Sequence, residues 1–201
     1  MMIATVITCP QRFDHYRRFL RNFAALNLGF PVRTFQTKEA QGDAFANNNL
    51  NARAALRFAQ RHLEKDGWIL YLEDDVVLHP ALAQMLPELA RIGNQEGVDC
   101  WNLCNRKNNF KRQFRVADAV IKELDYPILG GHGLLIPQRH LAQMIEAHWS
   151  QVSDQAMFAA INHPNLRVWQ VVKPVLVEHF GFISTYNPED GPKVLEVNHA
   201  D

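Results

Sequence analysis

The chain has 201 residues, 47% of them apolar and 21% charged, with 21 Lys plus Arg balanced by 21 Asp plus Glu. That length favours one well-buried domain over two very small ones. The charge balance excludes a global electrostatic pull toward nucleic acid or anionic membrane and leaves only local patches for such partners. The opening "MMIATVITCP" has too short an apolar run for a signal-peptide core and lacks a basic start and a cleavage site. No stretch reaches the roughly 18–20 apolar residues of a membrane span. Cys9, Cys100 and Cys104 form no CxxC pair, and no two further ligands stand at zinc-site spacing. Free thiols and a cytoplasmic location are the expectation.

"MIATVIT" reads as a first strand, stopping at Cys9-Pro10, and Phe13, Tyr16, Phe19, Leu20 and Phe23 then recur at helical spacing. Pro31 precedes a second strand, "VRTFQT". The polar "QGDAFANNN" reads as a loop before a helix with apolar positions at Leu50, Ala54, Leu56, Phe58 and Leu63. "GWILYL" is a third strand, followed by a helix from Pro80 that Pro87 should bend or break. "VDCWNLCN" gives a further strand. This alternation is the mark of a parallel α/β sheet. The second half is less regular. "YPILGGHGLLIP" is a strand interrupted by a glycine loop, and "QRHLAQMIEAHW" and "SDQAMFAAI" are helices. "LRVWQVVKPVLVEHFGFIST" supplies one or two strands around Pro174, ending at His179, before a turn-rich end. There is no repeat, low-complexity tract or linker.

The third strand runs into Glu73, Asp74 and Asp75. In an open α/β sheet, ligands bind beyond the carboxyl ends of the strands. Adjacent like charges raise one another's pKa unless a cation compensates. Carboxylate oxygens of this kind suit Mg²⁺ or Mn²⁺, with substrate phosphates completing the shell. The competing reading is an acidic loop that caps the next helix. His179 also terminates an apolar strand, and a neutral imidazole is a good Mn²⁺ ligand beside carboxylates. Its alternative is a half-buried histidine bonded to the backbone.

"ILYLEDDVVLHP" followed much later by "VLVEHFGFIST" resembles the metal-site frame of glycosyltransferases with the GT-A fold. "ILGGHGLLIPQRHLAQMI" is similar to the stretch between those two in LPS-type (family 25-like) and N-acetylglucosaminyltransferase-like enzymes, which carry an LEDD, DxD-type motif. The resemblance runs from Ile3 to about Thr185. It implies a single-domain, Rossmann-like α/β fold: a mixed, mostly parallel sheet flanked by helices. The nucleotide-sugar half would span about 1–104, the acceptor and catalytic half about 105–185, and a polar tail 186–201.

The resemblance also implies a metal-dependent transfer from a nucleotide-sugar donor, a UDP-sugar first, to an acceptor hydroxyl. Asp75 and His179 would hold Mn²⁺ or Mg²⁺, Asp74 would face the ribose or the metal through water, and Glu73 would support the nucleotide side. Thr8 to Arg12 would contact the nucleoside, with Arg12 available to a phosphate. Asp154 would be the general base of an inverting reaction; its alternative is a helix N-cap, which would leave a retaining mechanism open. In Gly130-Gly131-His132-Gly133, Gly131 allows close backbone approach to a ligand, and His132 would touch donor sugar or acceptor. The order strand–GxGxxG–helix is absent.

"NRKNNFKRQFR" carries Arg106, Lys107, Lys111, Arg112 and Arg115 without an acid, interleaved with Phe110 and Phe114. Such a stretch binds an anionic acceptor or a nucleic-acid strand, or is simply a solvated loop. The core is small for a glycan-modifying enzyme. A surface polysaccharide or lipid-linked glycan is the first acceptor expected, and a phage's hydroxylated DNA base the second. Two other classes compete. A nucleotidyltransferase needs a glycine-rich loop after the first strand, which "TCPQRFDHY" lacks. A non-catalytic nucleic-acid-binding module would use the basic stretch and bind in a salt-sensitive way.

Overall fold

The computed structural model describes residues 1–9, 12–36, 44–104, 109–125, 132–149, 153–161 and 165–180, with the side chains of residues 44, 45 and 154 left aside. Its strands are β1 (Met2–Ile7), β2 (Val32–Phe35), β3 (Trp68–Glu73), β4 (Val76–Leu78), β5 (Cys100–Asn102), β6 (Phe110–Val116), β7 (Ala119–Leu124), β8 (Gly133–Pro137), β9 (Val168–Lys173) and β10 (Val177–His179). Its helices are α1 (Phe13–Leu26), α2 (Ala44–His62), α3 (Leu82–Glu96), α4 (Leu141–Glu146) and α5 (Ser153–Ala160).

Eight strands form one sheet in the order β2-β1-β3-β8-β5-β9-β7-β6, and β10 and β4 form a separate pair. Within the large sheet β8 and β7 oppose the common direction of the other six. The sheet is therefore mixed, with most strands running one way, as expected. β3 shows why its sequence is apolar without interruption. Trp68, Leu70 and Leu72 join a core with Phe19 and Phe23 of α1 and Leu82, Leu86 and Leu89 of α3. Ile69 and Tyr71 join the opposite core with Ala52, Ala55, Leu56 and Ala59 of α2 and Met157 of α5. Successive side chains point to opposite faces, so a strand covered on both sides needs apolar residues at every position.

Several elements differ from the sequence reading. Pro87 neither breaks nor ends α3, because Leu82, Leu86, Leu89 and Ile92 bury one continuous face on both sides of it. Pro87 itself is exposed, and α3 closes instead at Gly97, in the left-handed conformation (φ 66°, ψ 38°). α2 starts earlier than its first periodic apolar residue and takes in the Asn run. From that run Asn48 Nδ2 donates to Ser153 Oγ at 3.3 Å, and two residues beyond it Asn51 Nδ2 donates to the Thr8 carbonyl at 3.2 Å. The buried stripe of α2 is alanine-rich, whereas Leu50 and, on α1, Phe13 are exposed. The 110–125 region, expected as a solvated basic loop in its first part, is an antiparallel β6–β7 hairpin. β6 forms a sheet edge, and Lys111, Arg112 and Arg115 on it discourage pairing with another edge. Cys9, Cys100 and Cys104 are free thiols, and burial raises the Cys100 pKa.

Asp99, just before β5, ties three segments together. His140 Nε2 lies 2.7 Å from its Oδ1, the Arg167 N–H donates to its Oδ2 at 2.9 Å, and Arg139 Nη2 stands 3.4 Å from Oδ1. Burial pushes the Asp99 pKa up, but the bonds from His140 and Arg167 and the charges of His140 and Arg139 outweigh it and leave the pKa lowered. A depressed folded-state pKa stabilises the protein above the ordinary aspartate value of 3.8 and loses that contribution as pH falls below it. Asp99→Asn should lower the melting temperature at pH 7, and the gap to wild type should narrow in thermal melts taken below pH 3.8. An unchanged gap across that range would show that the carboxylate charge is irrelevant.

Candidate metal and nucleotide site

β1 and β3 run parallel in register, with Ile7 opposite Glu73, so Thr8 and the acid turn leave the sheet side by side. Asp74 is 0% and Asp75 1% exposed. Two carboxylates withdrawn from water need donors or positive charge. The Thr8 hydroxyl donates to Asp74 Oδ2 at 2.5 Å, and Arg12 Nη1 to Asp74 Oδ1 at 2.9 Å. The same Nη1 lies 2.9 Å from Asp75 Oδ2. Burial raises the Asp74 pKa, with the charge of Arg12 and the bonds from Thr8 and Arg12 opposing it. For Asp75 burial acts the same way, yet His179 and the positive charge of Arg12 win and hold it far below the usual carboxylate range. The Arg12 guanidinium is buried too, and Asp75 and Asp74 keep its pKa above the ordinary arginine value despite that burial.

The turn at Asp74 and Asp75 sends the chain into β4, and β4 pairs antiparallel with β10, Val76 opposite His179. That pairing delivers His179 across 104 residues, placing Nε2 3.1 Å from Asp75 Oδ2. The Phe180 N–H donates to the Asp75 carbonyl at 2.9 Å. The Phe180 ring is held by α1, with the Arg18 guanidinium 4.2 Å from its centroid and His15 edge-on at 5.4 Å. From the other side, β8 lies antiparallel to β3 and begins at this edge. His132, just before β8, places Nδ1 3.1 Å from Glu73 Oε2 and 3.9 Å from Asp75 Oδ1. The His132 and His179 rings stack with centroids 4.0 Å apart.

Asp75, His132 and His179 each offer a ligand atom within 4.8 Å of the others. Among the described residues, Asp75 Oδ1 and His179 Nδ1 are buried and meet no hydrogen-bond partner, capacity that a bound ion could satisfy. One carboxylate and two imidazoles form a donor set suited to a divalent transition ion. The residues present therefore fit a metal.

Of the residues singled out in the sequence, Thr8, Arg12, Glu73, Asp74, Asp75, His132 and His179 form one contiguous network. His132, expected against donor sugar or acceptor, also lies among the atoms that could hold an ion. Asp154 is the second residue of α5, with its side chain outside the described set. Gly131, Arg106 and Lys107 lie outside the described residues. Phe110, Lys111 and Arg112 stand on the edge strand five strands from β3, about 24 Å away at ordinary strand spacing. There the Lys122 ammonium sits 4.1 Å from the Phe110 ring centroid, and Arg112 Nε pairs with Glu123 at 2.7 Å. Asn48, Asn51 and Phe180 were not foreseen. The Asn run was visible in the sequence, but nothing there showed which faces would turn toward Thr8 and Ser153.

The architecture is that of GT-A glycosyltransferases. Superposition on a mutant of Drosophila β1,4-galactosyltransferase 7 in complex with manganese, UDP-Gal and xylobiose gives a TM-score of 0.54 at 16% identity, covering 98% of this chain and 77% of that one. A glycosyltransferase involved in glycosylation of the major capsid of PBCV-1 gives 0.54 at 13% identity, over 94% of this chain and 97% of that one. S. aureus TarS gives 0.54 at 12% identity, over 89% of this chain and 60% of that one. At such identities the likeness is one of fold. No family model matches the chain, and no curated protein matches its sequence. Among the described residues no helix is long and apolar enough to cross a membrane.

Gly133, which follows His132, is where β8 meets β10: a Cβ built there would come within 2.8 Å of Val177 Cγ1. Gly133→Ala should therefore cost about 1–3 kcal/mol in chemical denaturation, the usual penalty for overpacking. Wild-type stability in that variant would contradict the close approach.

Proposed function

We propose that this chain is a metal-dependent glycosyltransferase that moves a sugar from a nucleotide-sugar donor, a UDP-sugar, to an acceptor hydroxyl. The observation that carries the reading is the Asp75–His132–His179 cluster beside Thr8, Arg12 and Asp74, at the carboxyl edge of β1 and β3. The Drosophila enzyme of the same fold was captured with manganese and UDP-Gal, which supports this class of donor and ion. Two imidazoles in the donor set favour Mn²⁺ over Mg²⁺, which prefers an all-oxygen shell. When bound, the ion supplies positive charge to the leaving nucleoside diphosphate. Asp75, His132 and His179 hold it, while Thr8, Arg12, Asp74 and Glu73 line the nucleotide side.

Asp154 is the general base of a single-displacement, inverting reaction. Its carboxylate takes the proton from the acceptor hydroxyl as the acceptor oxygen bonds the anomeric carbon. The bond from that carbon to the diphosphate oxygen breaks, and its electron pair leaves with the nucleotide. A glycan acceptor is favoured over a DNA base, because the basic hairpin residue Arg112 is already ion-paired with Glu123 and the hairpin stands on the far edge strand. An acceptor touching both regions would have to be an oligomer.

Purified protein should release UDP from a UDP-sugar in a Mn²⁺-dependent way. Asp75→Ala and His179→Ala should each lose at least about 100-fold in rate, the scale expected on losing a metal or its coordination support. Their near-native circular dichroism would confirm that the fold survives. Asp154→Asn should lower kcat by about 100- to 10,000-fold while UDP still binds. Full activity in both Asp75→Ala and His179→Ala would overturn the assignment.

A further inference from the structure

Arg12 stands where a metal's charge is needed. Its Nη1 is 2.9 Å from Asp74 Oδ1 and 2.9 Å from Asp75 Oδ2, so one guanidinium nitrogen bridges the two acids of the turn. Asp75 is at the same time the carboxylate of the ligand cluster. The Arg12 side chain is only 16% exposed, and its buried Nε–H meets no acceptor among the described residues. When ionised, Glu73, Asp74 and Asp75 carry three negative charges, and Arg12 compensates one of them. Asp75 does not depend on Arg12 for its position. His179 holds its carboxylate at 3.1 Å, and the Phe180 N–H holds its carbonyl at 2.9 Å.

We propose that Arg12 is a resident counter-ion of the metal cluster: it competes with a divalent cation for Asp75 and, with the cation in place, lends its charge to the donor's diphosphate. The two halves have opposite signs. A fixed positive charge beside the cluster repels an incoming cation and weakens its binding. The same charge attracts an anionic diphosphate, and the guanidinium N–H groups are donors it can offer. Arg12 therefore trades ion affinity for donor affinity and is a positioning residue for both. Its diphosphate half rests on the glycosyltransferase reading, whereas its metal half does not.

Calorimetric titration of MnCl₂ alone, and then of UDP at saturating Mn²⁺, separates the two. Arg12→Gln should bind Mn²⁺ alone about tenfold or more tighter than wild type and bind UDP about tenfold or more weaker, each corresponding to about 1.4 kcal/mol. Arg12→Lys, which keeps the charge, should stay near wild type for Mn²⁺. A merely structural arginine would weaken both ligands on removal, so Mn²⁺ binding no tighter in Arg12→Gln overturns the proposal. If Arg12→Gln does not fold unaided, recovery of its fold by added Mn²⁺ supports the proposal, and failure to recover overturns it. Tighter Mn²⁺ with no UDP binding in any variant keeps the competition and rejects the donor reading. UDP binding with unchanged Mn²⁺ affinity does the reverse.

Discussion

Asp74 and Asp75 are withdrawn from water at the end of β3, and two ionised carboxylates one residue apart cannot remain there without donors and positive charge. The elements around this edge answer that demand. β1 brings the Thr8 hydroxyl, the start of α1 brings Arg12, β10 brings His179, and the residue before β8 brings His132. These groups come from three distant parts of the chain, the β1–α1 connection, the start of β8 and the end of β10. A buried acid pair satisfied only by long-range partners cannot form until the sheet has assembled. Its charge balance thus ties the site to the global fold rather than to one loop.

The small β4–β10 pair is the device that completes the cluster. The turn at Asp74 and Asp75 reverses nothing in the large sheet. It sends three residues aside to pair with the strand that carries His179. Phe180 then extends the contact, its N–H on Asp75 and its ring between the α1 side chains Arg18 and His15. α1 therefore reaches the site twice, through Arg12 at its start and through Phe180 beside His179. The stacked imidazoles of His132 and His179 share Asp75 across the closing edge.

Much of this was legible from the residues. The double-faced burial of β3 explains why "WILYL" is continuously apolar, and a run of that kind ending in three acids marks a ligand edge. His179 was legible because it ends an apolar strand in the same way. His132 reads from its glycine loop as a contact for donor sugar or acceptor, while sequence spacing cannot show that β8 runs antiparallel beside β3 and also brings that residue near Asp75. The β6–β7 hairpin was hidden by its charge: the Arg112 side chain stays 59% exposed yet pairs with Glu123, and the Lys122 ammonium sits over Phe110. At Pro87 local propensity favours a break, which the packed face of α3 overrides. The Asn run reads as a loop for the same reason, since the Asn48 hydrogen bond to Ser153 exists only after folding.

The account stands or falls on whether Asp75, His132 and His179 share one ion. Diffraction from crystals grown with Mn²⁺, recorded for anomalous signal, tests this most directly. The account predicts a manganese peak bonded to all three side chains. Saturating Mn²⁺ with no peak at the cluster, and Arg12 still bridging Asp74 and Asp75, would contradict it.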